Sequence, residues 1–126
     1  MRTREGYFNL LDETVKYYSE DTSRRATNGV GCEYITSDGR MCAVGRCLEN
    51  PQAIMDNENL SGEWAVRVLL SDLGKLKPEY EGFSISFWRK LQNLHDEESY
   101  WDEEGLTSSG QKFYAEIALK INQGAY

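Results

Sequence analysis

A helix-rich α+β architecture, with about four main helices packed around one small antiparallel β-hairpin, is what this sequence predicts. Three observations carry that expectation. Apolar residues recur at three- and four-residue steps in several separate stretches, each bounded by capping residues, prolines or glycines. One segment, "EYITSDGRMCAV", instead has strand-like residues on both sides of Ser-Asp-Gly. The 126 residues, 40 % hydrophobic and 12 % aromatic, suffice for one buried core and show no repeat or linker. Residues 1–126 therefore read as a single domain.

The first helix is expected over 7–19, where Phe8, Leu11, Val15 and Tyr18 fall on one side. "DTSRRATNGVG" breaks it with turn formers and glycines. The hairpin follows at 32–44, and Asn50-Pro51 opens a short helix at 51–55. Ser61 caps a further helix over 62–73, with Trp64, Val68 and Leu69 inward and Gly74 as its stop. Pro78 and Gly82 keep "KLKPEYEG" a loop. Ser84 opens a helix at 85–97, whose inner face carries Phe87, Trp88, Leu91, Leu94 and His95. Ser108 and Gln111 read as a capping box for the last helix, 109–122, with Phe113, Ile117 and Ile121 inward and Gly124 ending it.

All three cysteines lie between Cys32 and Cys47. A three-residue loop ending in left-handed Gly39 sets Thr36 opposite Arg40, Tyr34 opposite Cys42 and Cys32 opposite Val44. Cys32, Tyr34, Cys42 and Val44 then share one face. In that register the Cα atoms of Cys32 and Cys42 are about 7–8 Å apart, beyond ordinary disulfide reach. Cys32, Cys42, Cys47 and the single His95 make a Cys₃His set by count, a zinc alternative lacking the tight two-residue knuckle. A thiol nucleophile is a further alternative, with Cys42, His95 and Asp96 as its members. Neighbouring helical residues point about 100° apart, so Asp96 is not expected to orient His95 alone. The plain alternative is that the cysteines and His95 are core residues. No cofactor is expected unless the zinc reading holds.

Charge is uneven. Residues 1–47 hold seven basic and seven acidic side chains, while residues 48–126 hold seven and fourteen, giving the net −7. Six of those acids crowd into "DEESYWDEE". Such a surface repels a phosphate backbone, so direct nucleic-acid binding is not expected. It could attract a basic protein partner through Glu97, Glu98, Glu103 and Glu104, with Trp101 exposed among them. Arg40 and Arg46, with Arg24 and Arg25 just before the hairpin, gather the basic residues near one place. Together with Tyr34 they could hold an anionic small molecule, since guanidinium forks suit phosphate. No run of about 18–20 apolar residues suggests a membrane span, and "MRTREGYFNLLDE" lacks a secretory apolar centre, so a soluble cytoplasmic protein is expected.

"CEYITSDGRMCAVGRCL" resembles a segment of small uncharacterised bacteriophage and bacterial proteins that carry Cys-x-Tyr, then Asp-Gly, then Cys-Ala-x-Gly. "LQNLHDEESYW", from Leu91 to Trp101, is similar to their later Leu-Gln-x-x-His-Asp stretch. The resemblance spans roughly 28–121 and implies a phage or mobile-element origin. It marks Cys32, Tyr34, Asp38, Gly39, Cys42, Gly45, His95 and Asp96 as motif positions without giving them roles, and Cys47 stands where the group is apolar or variable.

The chain has no Walker-type loop, nucleophile elbow, His-Glu-x-x-His or dinucleotide fingerprint. The expected function is thus a non-catalytic binding or inhibitor protein that captures a host protein or an anionic small molecule. In a phage this would serve host takeover or anti-defence. The alternative is a small metalloprotein or enzyme using Cys32, Cys42 and His95.

Overall fold

The computed structural model describes residues 2–25, 34–57, 67–70 and 74–126. Its α+β architecture consists of four α-helices and a two-stranded antiparallel hairpin among those residues. Helix α1 spans Arg4–Glu20, with the Thr3 side chain accepting from the Gly6 amide at 3.1 Å as its cap. Its buried face is Tyr7, Leu10, Leu11, Thr14 and Tyr18, so Phe8 and Val15 sit at the edge of the stripe, half-buried. Helix α2, Pro51–Met55, begins as expected on Asn50, whose side chain accepts from the Ala53 amide.

Helix α3, Ile85–Asp96, is capped by Ser84 and buries Phe87, Trp88, Leu91, Leu94 and His95, the expected face, together with Gln92. Helix α4, Ser108–Asn122, starts one residue earlier than its sequence signal. Thr107, rather than Ser108, is the cap, its hydroxyl accepting from the Gly110 amide at 3.2 Å. A Cβ on Gly110 would lie 2.3 Å from the Tyr100 carbonyl oxygen, so only glycine permits this approach. Of the helix expected over 62–73, the described part, Arg67–Leu70, is a 3₁₀ turn with Val68 buried, and Trp64 lies outside the described residues.

The hairpin joins β1 (Trp101–Asp102) to β2 (Gly105–Leu106), with Trp101 opposite Leu106. It therefore lies in the acidic segment rather than at 32–44. In the cysteine segment the expected register exists but is brief. Ile35 bridges Met41, the Thr36 amide donates to the Arg40 carbonyl at 2.7 Å, and Gly39 has φ 89°. Beyond Met41 the chain coils. The Arg46 amide bonds the Cys42 carbonyl and the Cys47 amide bonds the Val44 carbonyl, making a 3₁₀ turn over Gly45–Cys47. Local bonds thus occupy the carbonyls that a ladder would need. A Cβ on Gly45 would stand 1.9 Å from the Tyr34 carbonyl oxygen, which shows how closely the coil folds back.

The coil and α3 meet in the core. Tyr34, Cys42, Val44 and Cys47 are fully buried, and the Val44 amide donates to the Gln92 side-chain oxygen at 3.3 Å. Tyr18 joins α1 to both: its hydroxyl donates to the Met41 carbonyl at 2.6 Å, and its ring meets His95 edge-on at 5.0 Å. No helix among the described residues is long and apolar enough to cross a membrane.

Candidate functional site: an arginine-lined cleft

The end of α1 and the Thr36–Arg40 turn flank an open cleft of about 670 Å³. After Glu20 the chain makes a single 3₁₀ turn, Thr22–Arg24, because the Asp21 carboxylate accepts from both the amide and the hydroxyl of Ser23. This turn aims Arg24 and Arg25 at the cleft, and the opposite wall supplies Asp38, Gly39 and Arg40. Among the described residues, Tyr17, Thr22 and Ser23 complete the lining, which there holds three guanidinium groups against one carboxylate.

Each arginine is held by its own contacts. Arg24 Nη1 donates to the Tyr17 carbonyl at 2.9 Å and to Glu20 at 3.3 Å, with its guanidinium over the Tyr17 ring. Arg25 is buried and donates through Nε (2.8 Å) and Nη2 (2.6 Å) to the His95 carbonyl near the C-terminus of α3. A cation is favoured there, where carbonyls lack helical partners. Arg40 Nε donates to Asp38 at 3.0 Å, and its Nη1 reaches the Arg25 carbonyl at 3.4 Å. Thr36 donates its hydroxyl to Asp38 and accepts from the Arg40 amide. The bonds from Thr36 and Arg40 hold the Asp38 carboxyl below its ordinary range, so it stays ionised. Among the described residues, nothing bonds Nη2 of Arg24, Nη1 of Arg25 or Nη2 of Arg40.

Of the basic residues grouped from sequence, Arg24, Arg25 and Arg40 come together here. Two expected ligand contacts do not. Tyr34 is enclosed in the core. Arg46 is also buried, 9 % exposed, and reaches Glu13 and the Tyr80 hydroxyl at 3.4 Å instead. Its guanidinium packs over the Tyr17 and Tyr80 rings, because the 3₁₀ turn at Gly45–Cys47 carries it away from Arg40. Tyr17, Thr22 and Ser23 were not expected as lining; the turn-forming "DTSRR" directly after α1 is the signal that could have indicated the last two.

Trp101, expected to be exposed, is 7 % exposed. Its indole N–H donates to the Leu94 carbonyl at 2.7 Å, its ring meets Tyr18, and the Arg25 guanidinium lies 5.7 Å over it. Pairing with Leu106 turns it inward. Glu97, Glu98, Glu103 and Glu104 do lie on the surface. Glu97 is also engaged locally, accepting from the Ser99 amide and hydroxyl. A smaller cleft of about 300 Å³ beside them is lined by Asn93, Asp96, Glu97, Tyr100 and Phe113.

The thiol reading meets a sealed interior. Cys42 and His95 are both fully buried, neither lines these clefts, and Cys42 Sγ accepts from the Gly45 amide at 3.2 Å. Asp96 does orient His95, contrary to expectation: Nδ1 donates to Asp96 Oδ1 at 2.7 Å. At the last residue of α3, Asp96 is also held by Gln92, one turn back, at 2.7 Å. Burial pulls His95 below its ordinary pKa, with Asp96 opposing, which favours neutral imidazole. Burial pushes the Cys47 thiol up to about 12. Cys42 and Cys47 are free thiols. Cys32, the remaining member of the zinc set and of the disulfide question, lies outside the described residues. Among the described residues, no three His, Cys, Asp or Glu side chains gather as a metal-holding group.

Comparison of the chain with protein-family models, curated proteins and solved structures finds no match.

Proposed function

We propose that this protein is a non-catalytic binding protein that holds an anionic small molecule in the arginine-lined cleft. The observation that carries the reading is the convergence of Arg24, Arg25 and Arg40, each with a donor facing no protein partner among the described residues, on a 670 Å³ space bearing one carboxylate. Such donors are held in place before a ligand arrives, which lowers the ordering cost of binding. Burial of Cys42 and His95 supports binding rather than thiol chemistry. Capture of a protein through the acidic segment has less support, since its aromatic anchor, Trp101, is in the core.

Isothermal titration calorimetry with sulfate and with glycerol 3-phosphate tests the reading. Replacing Arg40 by Gln removes one charge-assisted donor set, worth about 1.5–3 kcal/mol, so binding is expected to weaken by about tenfold or more. Arg89→Gln, on the exposed side of α3, is expected to change nothing. Equal affinity of Arg40→Gln and the unsubstituted protein refutes the site.

A further inference from the structure

We infer that the cleft selects a tetrahedral dianion, the terminal group of a phosphate monoester, over monoanionic carboxylates and over ligands held by base stacking. This rests on the anion-binding reading above and narrows it. Among the described residues the lining carries three guanidinium groups and one carboxylate, the ionised Asp38, while Glu20 pairs with Arg24 from outside the lining. A phosphate monoester carries close to two negative charges near neutral pH and a carboxylate one, so the three cations attract the monoester more strongly. The three unengaged Nη groups belong to three separate side chains, on two walls of the cleft. That arrangement suits the three terminal oxygens of a phosphate monoester better than the planar pair of a carboxylate.

Tyr17, the aromatic residue among the described lining, cannot serve as a stacking platform. Guanidinium groups of Arg24 and Arg46 already lie over the Tyr17 ring at 4.7 and 5.1 Å, and Tyr18 meets it edge-on at 4.9 Å. Recognition therefore ends at the charged group, and the organic part of the ligand faces the cleft mouth.

The ligand's own protonation provides the test. With a second pKa of about 6, roughly one monoester in eleven stays dianionic at about pH 5, so affinity for glycerol 3-phosphate is expected to fall about tenfold between about pH 7.5 and pH 5. Sulfate is dianionic throughout and is expected to hold its affinity within about twofold. Protein groups that could titrate nearby are Asp38 and Glu20 on the arginines, Asp21 beneath the turn, Tyr17 in the wall, and Asp96, Glu97, Glu98 and Tyr18 acting on Arg25. His95 lies behind the carbonyl that Arg25 binds. All of these would move both ligands alike. Acetate at about pH 7.5 is expected to bind at least about tenfold more weakly than sulfate.

If sulfate, glycerol 3-phosphate and acetate bind equally, or glycerol 3-phosphate holds its affinity at the lower pH, dianion selection is overturned and the anion site stands. A parallel loss for sulfate, or no sulfate binding beside firm phosphate binding, overturns selection by charge as well. If no anion binds, both readings fall. Inorganic phosphate, measured beside the ester, separates the two sources of the dianion: equal affinity is expected from a site that reads the phosphate group alone, and an ester bound more than about tenfold more tightly refutes recognition ending there.

Discussion

Removing the Arg25 guanidinium tests whether one side chain ties the cleft to the core. Arg25→Met keeps an apolar stem of similar reach beside Trp101 but deletes both donors to the His95 carbonyl, at 2.8 and 2.6 Å. Hydrogen bonds involving a charged group contribute about 1.5–3 kcal/mol each, but these two share one oxygen and do not add in full. Loss of a cation near the C-terminus of α3 costs about 0.3–1 kcal/mol more, and relief of the buried charge offsets part of the total. The net expectation is a loss of about 2–4 kcal/mol. At about 2.1 cal/mol/K per residue, the unfolding entropy of 126 residues turns that into a Tm lowered by about 8–15 °C. Urea unfolding followed by tryptophan fluorescence measures the difference directly. Arg25→Lys keeps the charge without the fork and should lose about half as much. A loss below about 1 kcal/mol for Arg25→Met would show that this contact does not hold the segments together.

Three further predictions follow from burial and close approach. Gly45→Ala places a methyl 1.9 Å from the Tyr34 carbonyl oxygen, backbone against backbone, and is expected to cost about 3 kcal/mol or more in urea unfolding. His95 has a folded pKa held below its ordinary 6.5, so the unfolded chain binds its proton first as pH falls; stability should be level above about pH 6.5, decline below it, and decline less in His95→Gln, as read from urea midpoints. In a Cys32→Ser background, the buried thiols of Cys42 and Cys47 should resist a disulfide reagent in the folded protein and react once urea unfolds it, and rapid labelling under native conditions would contradict the sealed coil.

How far the sequence revealed this arrangement depends on the kind of signal. Helices α1, α3 and α4 were legible because apolar residues at helical spacing must share a face, and α2 because Asn50-Pro51 is a direct capping signal. The Ser-Asp-Gly turn and its register were legible too, since left-handed Gly39 fixes which residues oppose one another. Its length was not. Strand-like residues describe a half-buried extended chain, but "CAVGRC", residues 42–47, is buried throughout, where alternation has no meaning. The hairpin at Trp101–Leu106 was hidden behind its charges, because Glu103 and Glu104 occupy a turn whose flanks are only two residues long. At the site, "DTSRR" and "SDGR" advertised charge, but their meeting depends on Arg25 reaching the His95 carbonyl, 70 residues away in sequence. No local pattern encodes that pairing. Arg46 was misplaced for the complementary reason: an arginine beside a turn ordinarily reads as surface, and only the packing of Tyr17, Tyr80 and Glu13 shows it inside.

A cationic cleft on a chain of net charge −7 is a matter of range. At about 0.1 M salt, charges on the surface are screened beyond about 10 Å, so a small anion at the cleft responds chiefly to Arg24, Arg25, Arg40, Asp38 and the Glu20 paired with Arg24. Glu97 and Glu98 affect it indirectly, through the Arg25 side chain on which they act. A long polyanion differs, because it must extend past the cleft and across other surface carboxylates, accumulating repulsion with each added phosphate. Raising the salt should therefore weaken a small dianion's binding while lifting part of the barrier to a polyanion. The ratio of the two affinities then reports the surface field rather than the cleft. Neutralising Glu103 and Glu104 with glutamine should narrow that ratio at low salt and leave the small dianion's affinity within about threefold, since these exposed carboxylates do not line the cleft. A larger change in the small dianion's binding would mean that the field at the cleft is set by the whole surface and not by the charged side chains at the cleft itself.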